Sequence, residues 1–142
     1  ITKDDLVLEI GCGAGYAAAI LSSLAGSVVA VESDEALAAS ATEKLSELGC
    51  DNVAVVTGDM EKGYPAEAPY DVIFLNGSVE EVPEGLLSQL RDGGRLIAVV
   101  GYGNASRARL YVRTGKSYSY NDYFNTAVRP LPGFRRVQEF VF

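Results

Sequence analysis

LVLEIGCGAG, residues Leu6 to Gly15, runs from an apolar strand into three glycines spaced GxGxG and on into a helical pattern at Tyr16–Leu24. A buried strand that ends in glycines and feeds a helix leaves bare backbone and a helix N-terminus where a nucleotide-type ligand can sit. The next apolar run, VVAVE, ends on Glu32, 21 residues after Gly11. A carboxylate at the tip of a second strand can accept from both hydroxyls of a ribose. Blander readings stand beside these: glycines that serve only a tight turn, and a Glu32 that is a solvated strand end.

Outward from this stretch, strand-length apolar runs recur at Leu6–Ile10, Val28–Val31, Val53–Val56, Val72–Leu75 and Leu96–Val100. They are rich in Val and Ile and barely alternate, the signature of strands covered on both faces. Between them, Tyr16–Leu24 ends at Gly26, and Asp34–Leu48 has Ser33 as its expected N-cap and Gly49 as its stop. Pro83–Leu90 reads as a third helix, with Pro in its first turn and Gly93–Gly94 beyond its end. The segment MEKGYPAEAPY, Met60–Tyr70, leaves little room for a helix and predicts an irregular connection.

Alternating strands and helices predict an α/β fold, a Rossmann-like, doubly wound, mainly parallel sheet. After the fifth strand, Arg107–Thr114 and Lys116–Tyr120 alternate around Gly115, which predicts an antiparallel hairpin on the sheet edge. The tail FRRVQEFVF alternates well enough for a last strand. Without linkers, repeats or low-complexity tracts, residues 1–142 are expected to form a single domain. The chain opens on Ile1 with a strand almost at once, which suggests a piece of a longer protein.

Composition narrows the chemistry. The net charge is −7 with no Lys/Arg block, so a nucleic-acid partner is not expected. No apolar stretch approaches the roughly 20 residues of a membrane span, so no membrane partner is expected either. There is no histidine, which removes His-based triads, His general bases and His-ligated zinc from this chain. Cys12 and Cys50 lie far apart, with neither a CxxC nor a metal-ligand pattern, so no metal site is expected and a cytoplasmic, reducing compartment is.

Two cofactor classes compete for the glycine turn. The dinucleotide fingerprint is GxGxxG, whereas Gly11, Gly13 and Gly15 are spaced GxGxG after Glu9 inside the strand. GxGxG after an acid resembles the pattern of S-adenosylmethionine-binding families, an expectation that comes from that resemblance and not from spacing physics; an acidic strand residue can attract that cofactor's ammonium. Gly58–Asp59 falls at the tip of the third strand, where an acid can accept from an adenine amino group; its rival role is to cap the following loop. A hairpin after the fifth strand suits class I methyltransferases better than dehydrogenases. Cys12 reads chiefly as a small residue, and Tyr16 as either lining the pocket or packing under the turn.

The runs VLEIGCGAGYAAAILSSLAG and GDMEKGYPAEAPYDVIFLNGSVEEVPEGLLSQLRDGGRLIAVVG carry a family pattern. They resemble the protein-L-isoaspartate O-methyltransferase family from about Leu6 to Gly101, with a looser continuation to PLPGF at Pro130–Phe134. The resemblance implies a class I methyltransferase fold and S-adenosyl-L-methionine as methyl donor. It also implies repair of damaged proteins: the α-carboxylate of an isoaspartyl residue is esterified so that it can cyclise to a succinimide and reopen. The partner would be a protein or peptide with isoaspartyl residues. The implied cofactor-binding positions are Glu9, Gly11, Gly13, Gly15, Glu32, Asp59 and Met60, and we add their neighbours Cys12, Ser33 and Gly58 and the strand-tip Asn76. Where the family usually carries small residues after the fourth strand, this chain has Asn76–Gly77–Ser78. The family's substrate-facing serine motif precedes the first strand, outside this sequence, so no catalytic residue is assigned.

Methyl transfer to a carboxylate is an in-line displacement onto an oxygen already ionised at neutral pH, its reference pKa being about 3.3–3.9. No general base is required, which suits a chain without histidine. Three other readings stay open: a family member that binds the cofactor without repair activity, a methyltransferase acting on a small molecule, and a nicotinamide-dependent oxidoreductase.

Overall fold

The computed structural model describes residues 1–101, 106–126 and 130–134. The chain runs β1 (Leu6–Ile10), α1 (Tyr16–Leu24), β2 (Ser27–Glu32), α2 (Glu35–Glu47), β3 (Val53–Thr57), β4 (Tyr70–Val79), α3 (Glu84–Leu87), β5 (Leu90–Val100), β6 (Arg107–Thr114) and β7 (Ser117–Asn125). The seven strands form one sheet in the order β3-β2-β1-β4-β5-β6-β7. β1 to β5 are parallel, and β6 and β7 add as an antiparallel hairpin. The Rossmann-like sheet with its terminal hairpin is therefore present.

Side chains alternate across each strand, so one run of sequence feeds two cores. On one face Val7, Val28 and Val72 meet Leu21 of α1 and its C-cap Ala25, and Ala30 meets Ala41 of α2. On the other face Leu8, Ile10, Val29, Val31, Ile73, Leu75, Leu96 and Ala98 pack with Met60, Val82, Leu86 and Leu87. Each fully buried aliphatic side chain contributes about 1.5–3 kcal/mol. β1 lies between β2 and β4, so chain order reverses there, and the carboxyl ends of these strands form the crevice where ligands bind in such sheets.

Several boundaries differ from expectation, β4 among them, which spans Tyr70–Val79 rather than Val72–Leu75. The N-cap of α2 is Asp34, not Ser33: its Oδ1 accepts from the Ala36 and Leu37 N–H groups at 2.9 and 3.2 Å. α3 spans four residues rather than eight, because the Gln89 carbonyl accepts from Tyr70 N at 2.8 Å and draws Leu90 into β5. Gly93–Gly94 lies inside β5, where the pairing jumps from Tyr70↔Leu90 to Val72↔Arg95, rather than beyond a helix end. The second hairpin strand starts at Ser117 and runs on to Asn125. Met60–Tyr70 is irregular as expected, with two short 3-10 turns at Met60–Lys62 and Pro65–Glu67. The expected strand in FRRVQEFVF lies outside the described residues beyond Phe134.

Candidate active site

The glycine turn is held at three points. Gly11 N donates to Val31 O at 2.8 Å, which ties the end of β1 to β2. Its φ of 83° is a conformation L side chains rarely adopt, and an added Cβ would lie 2.6 Å from Leu131 Cδ2. Gly13 N donates to Glu32 Oε1 at 3.0 Å. Gly15, with φ 94°, starts α1, and its Cα approaches Ala41 so closely that a Cβ would sit 3.4 Å from it.

Glu32 is 5% exposed, which dismisses the solvated strand end. Its Oε1 holds Gly13 and its Oε2 accepts from Asp34 N at 3.1 Å. Each carboxylate oxygen has a second lone pair, so the braced group can still accept from two hydroxyls. Ser33 is exposed beside it. The β3 tip is tied to the same corner by Gly58 N, which donates to Glu32 O at 3.1 Å.

Glu9 is fully buried one residue before the end of β1, and neither of its oxygens has a hydrogen-bond partner among the described residues. Burial, and secondarily the Glu32 charge, push its carboxyl up to about 7. An orphaned buried carboxyl is costly and calls for a donor or a cation. Cys12 is 2% exposed and packs on Ala30 and Ala41, so its thiol fills space beneath the turn. Burial first, then Glu9 and Glu32, raise that thiol to about 12, where it is inert as a nucleophile.

Asp59 stands at the head of the Met60–Lys62 turn but makes no side-chain cap bond there. It forms an exposed ion pair with Lys62 at 3.2 Å. Met60 is buried below, its sulfur 3.7 Å from where a Gly11 Cβ would lie. Asn76 is exposed on β4, its carbonyl oxygen likewise 3.7 Å from that point. Tyr16 is 68% exposed, so it does not pack under the turn; Lys44 bonds its hydroxyl at 3.2 Å and lies over its ring.

Two contributors had no signal in the local pattern. Leu131, more than a hundred residues away in sequence, reaches Gly11. Gln89 fastens the irregular connection below Asp59: Oε1 accepts from Tyr64 N at 3.1 Å, and Nε2 donates to Lys62 O at 2.9 Å and Gly85 O at 3.0 Å. The PLPGF segment pointed to the first only through family resemblance.

Sheet order, glycine turn and strand-tip acids define a Rossmann-like domain of the class I methyltransferase type. Residues 1–133 match the family model for protein-L-isoaspartate(D-aspartate) O-methyltransferase. The chain belongs to the protein-L-isoaspartate O-methyltransferase family. A relative of that name from Brucella anthropi is 48% identical over 111 residues, 78% of this chain and 51% of that protein. Another, from Herpetosiphon aurantiacus, is 39% identical over 133 residues, 94% of this chain and 59% of that protein. A solved protein-L-isoaspartate O-methyltransferase superposes with a TM-score of 0.86 at 35% identity, over 93% of this chain and 43% of that one. The chain thus spans about half the length of the curated relatives it matches.

Proposed function

We propose that this chain is the cofactor-binding domain of an S-adenosylmethionine-dependent carboxyl methyltransferase that esterifies isoaspartyl residues in damaged proteins. The observation that carries the reading is the orphaned Glu9 carboxyl beneath a glycine turn whose far side is braced by Glu32. The residues present fit the cofactor: an acid without a partner suits an ammonium, a buried acid with free lone pairs suits a ribose, and Asp59 suits an adenine amino group. Bound S-adenosylmethionine supplies an electrophilic methyl on a cationic sulfur.

The protein's own contribution is alignment. Glu9 and Glu32 make the pocket negative, which favours a cation over a phosphate-bearing dinucleotide. Glu32 fixes the turn through Gly13 while it holds the ribose, so one side chain sets both the pocket and its occupant. Met60 supplies the apolar floor. Asn76, exposed inside β4 where the pairing with β5 shifts between Phe74 and Ser78 rather than at the strand tip expected for it, orients the acceptor carboxylate. With the acceptor already ionised, no residue has to take a proton, and positioning alone offers roughly 7–11 kcal/mol. Two free cysteines agree with a reducing cytoplasmic setting, and the acidic surface disfavours nucleic acid as partner.

The full protein, incubated with methyl-labelled cofactor, is expected to form a base-labile methyl ester on an isoaspartyl peptide and none on the aspartyl control. Labelling of neither peptide at saturating cofactor contradicts the repair assignment. The Asn76–Gly77–Ser78 departure favours one second reading, a cofactor-binding member without turnover, and the same assay separates it: S-adenosylhomocysteine binds but no ester forms.

A further inference from the structure

We propose that Leu131 is a positioning residue for the cofactor site, a clamp from the C-terminal side of the chain that fixes the shape of the glycine turn. The proposal rests on the cofactor reading above. Three glycines in five residues give the turn large conformational freedom, so its shape must be imposed from outside. Glu32 holds Gly13 by a hydrogen bond, and Gly15 faces Ala41 of α2, which a Cβ there would meet at 3.4 Å. At Gly11 the holder is Leu131, whose Cδ2 occupies the space a Cβ on that glycine would need.

Leu131 is itself firmly placed. Its N–H donates to Ser78 O at 2.8 Å, and Pro130 bridges Ser78 in parallel, so the segment lies along the end of β4. Leu131 and Phe134 are 9% and 5% exposed and belong to the main core with Ile10 and Met60. Gly133, with φ 88°, passes so near the Glu61 carboxylate that a Cβ there would meet Oε2 at 2.6 Å. Residues 130–134 therefore touch three loops of the crevice at once: the glycine turn, the turn after Asp59 and the β4 tip. Removing the Leu131 side chain frees the turn to sample other conformations, and the cofactor then binds a minor population of it.

The test measures S-adenosylhomocysteine affinity by calorimetry at a temperature where every variant is folded. Leu131→Ala is expected to weaken binding about tenfold, since small misplacements of a binding turn cost that much or more. Leu131→Met, of similar volume, is expected to restore wild-type affinity to within about twofold. Val28→Ala, a core truncation near the amino end of β2 on the sheet face opposite Leu131, loses stability without weakening binding. If Leu131→Ala does not fold, Leu131→Val carries the test, with about threefold weakening expected for its smaller void. Wild-type affinity in the Leu131 truncations, or equal weakening in Val28→Ala, overturns the clamp while leaving the cofactor reading intact. Failure of the wild-type chain to bind S-adenosylhomocysteine overturns that reading itself, and the clamp with it.

Discussion

Glu9 concentrates the electrostatics of the site in one side chain. Its carboxyl, pushed up to about 7 by burial and by Glu32, lies above the ordinary value of 4.5, so the fold holds that proton more tightly than the unfolded chain does. Between these two values the native state keeps a proton the unfolded state has lost, and stability falls as pH rises. The ligand-free chain is expected to lose up to about 3 kcal/mol from this group between pH 4.5 and 7, at 1.36 kcal/mol for each pK unit. Urea titrations across that window check it, and Glu9→Gln is expected to flatten the slope; an unchanged slope would mean that other groups set it. A ligand ammonium beside Glu9 favours the ionised form, so S-adenosylhomocysteine should bind more tightly at pH 8 than at pH 6.

The candidate site is legible in the sequence where its residues are local. Glu9, Glu32 and the three glycines stand within one strand-turn-helix unit and the tip of its neighbour, so spacing alone brings them together. It misplaced the N-cap of α2 by one position because Ser33 and Asp34 are both competent caps. The carboxylate won, and its acceptor now takes two N–H groups.

At the level of elements, the irregular connection between β3 and β4 carries its own test. Only two short 3-10 turns satisfy its backbone, and Gln89, 6% exposed, bonds Tyr64 N, Lys62 O and Gly85 O in addition. Tyr70 adds a bond from its hydroxyl to Tyr64 O at 2.5 Å. Gln89→Ala strands the Tyr64 N–H and is expected to cost about 1–3 kcal/mol in a urea titration. A change below about 0.5 kcal/mol, the range of ordinary surface substitutions, would show that the clamp is dispensable. β1, α1 and β6 have the bounds expected from apolar pattern and glycine punctuation. β4, β5 and α3 do not: the Gln89 carbonyl takes the Tyr70 N–H between a helix that stops at Leu87 and a strand that starts at Leu90, and β4 continues through a shift in pairing to Val79.

For the whole molecule, the parallel sheet was legible because buried parallel strands read as unbroken Val/Ile runs, and the hairpin because its strands alternate around Gly115. The segment at Pro130–Phe134 was not, since a contact spanning most of the chain leaves no trace in local periodicity. Among the described residues no helix is long and apolar enough to cross a membrane, and no cluster of side chains is arranged to hold a metal ion. What remains is a crevice built around the buried carboxyls of Glu9 and Glu32 and bordered by Leu131. The most direct test of that account is calorimetric titration of the chain with S-adenosylhomocysteine and, separately, with NAD. The account predicts a one-to-one isotherm with S-adenosylhomocysteine alone, weakened at least about tenfold, or 1.4 kcal/mol, by Glu32→Ala. Binding of NAD without S-adenosylhomocysteine, or a Glu32→Ala variant that binds as the wild type does, would contradict it.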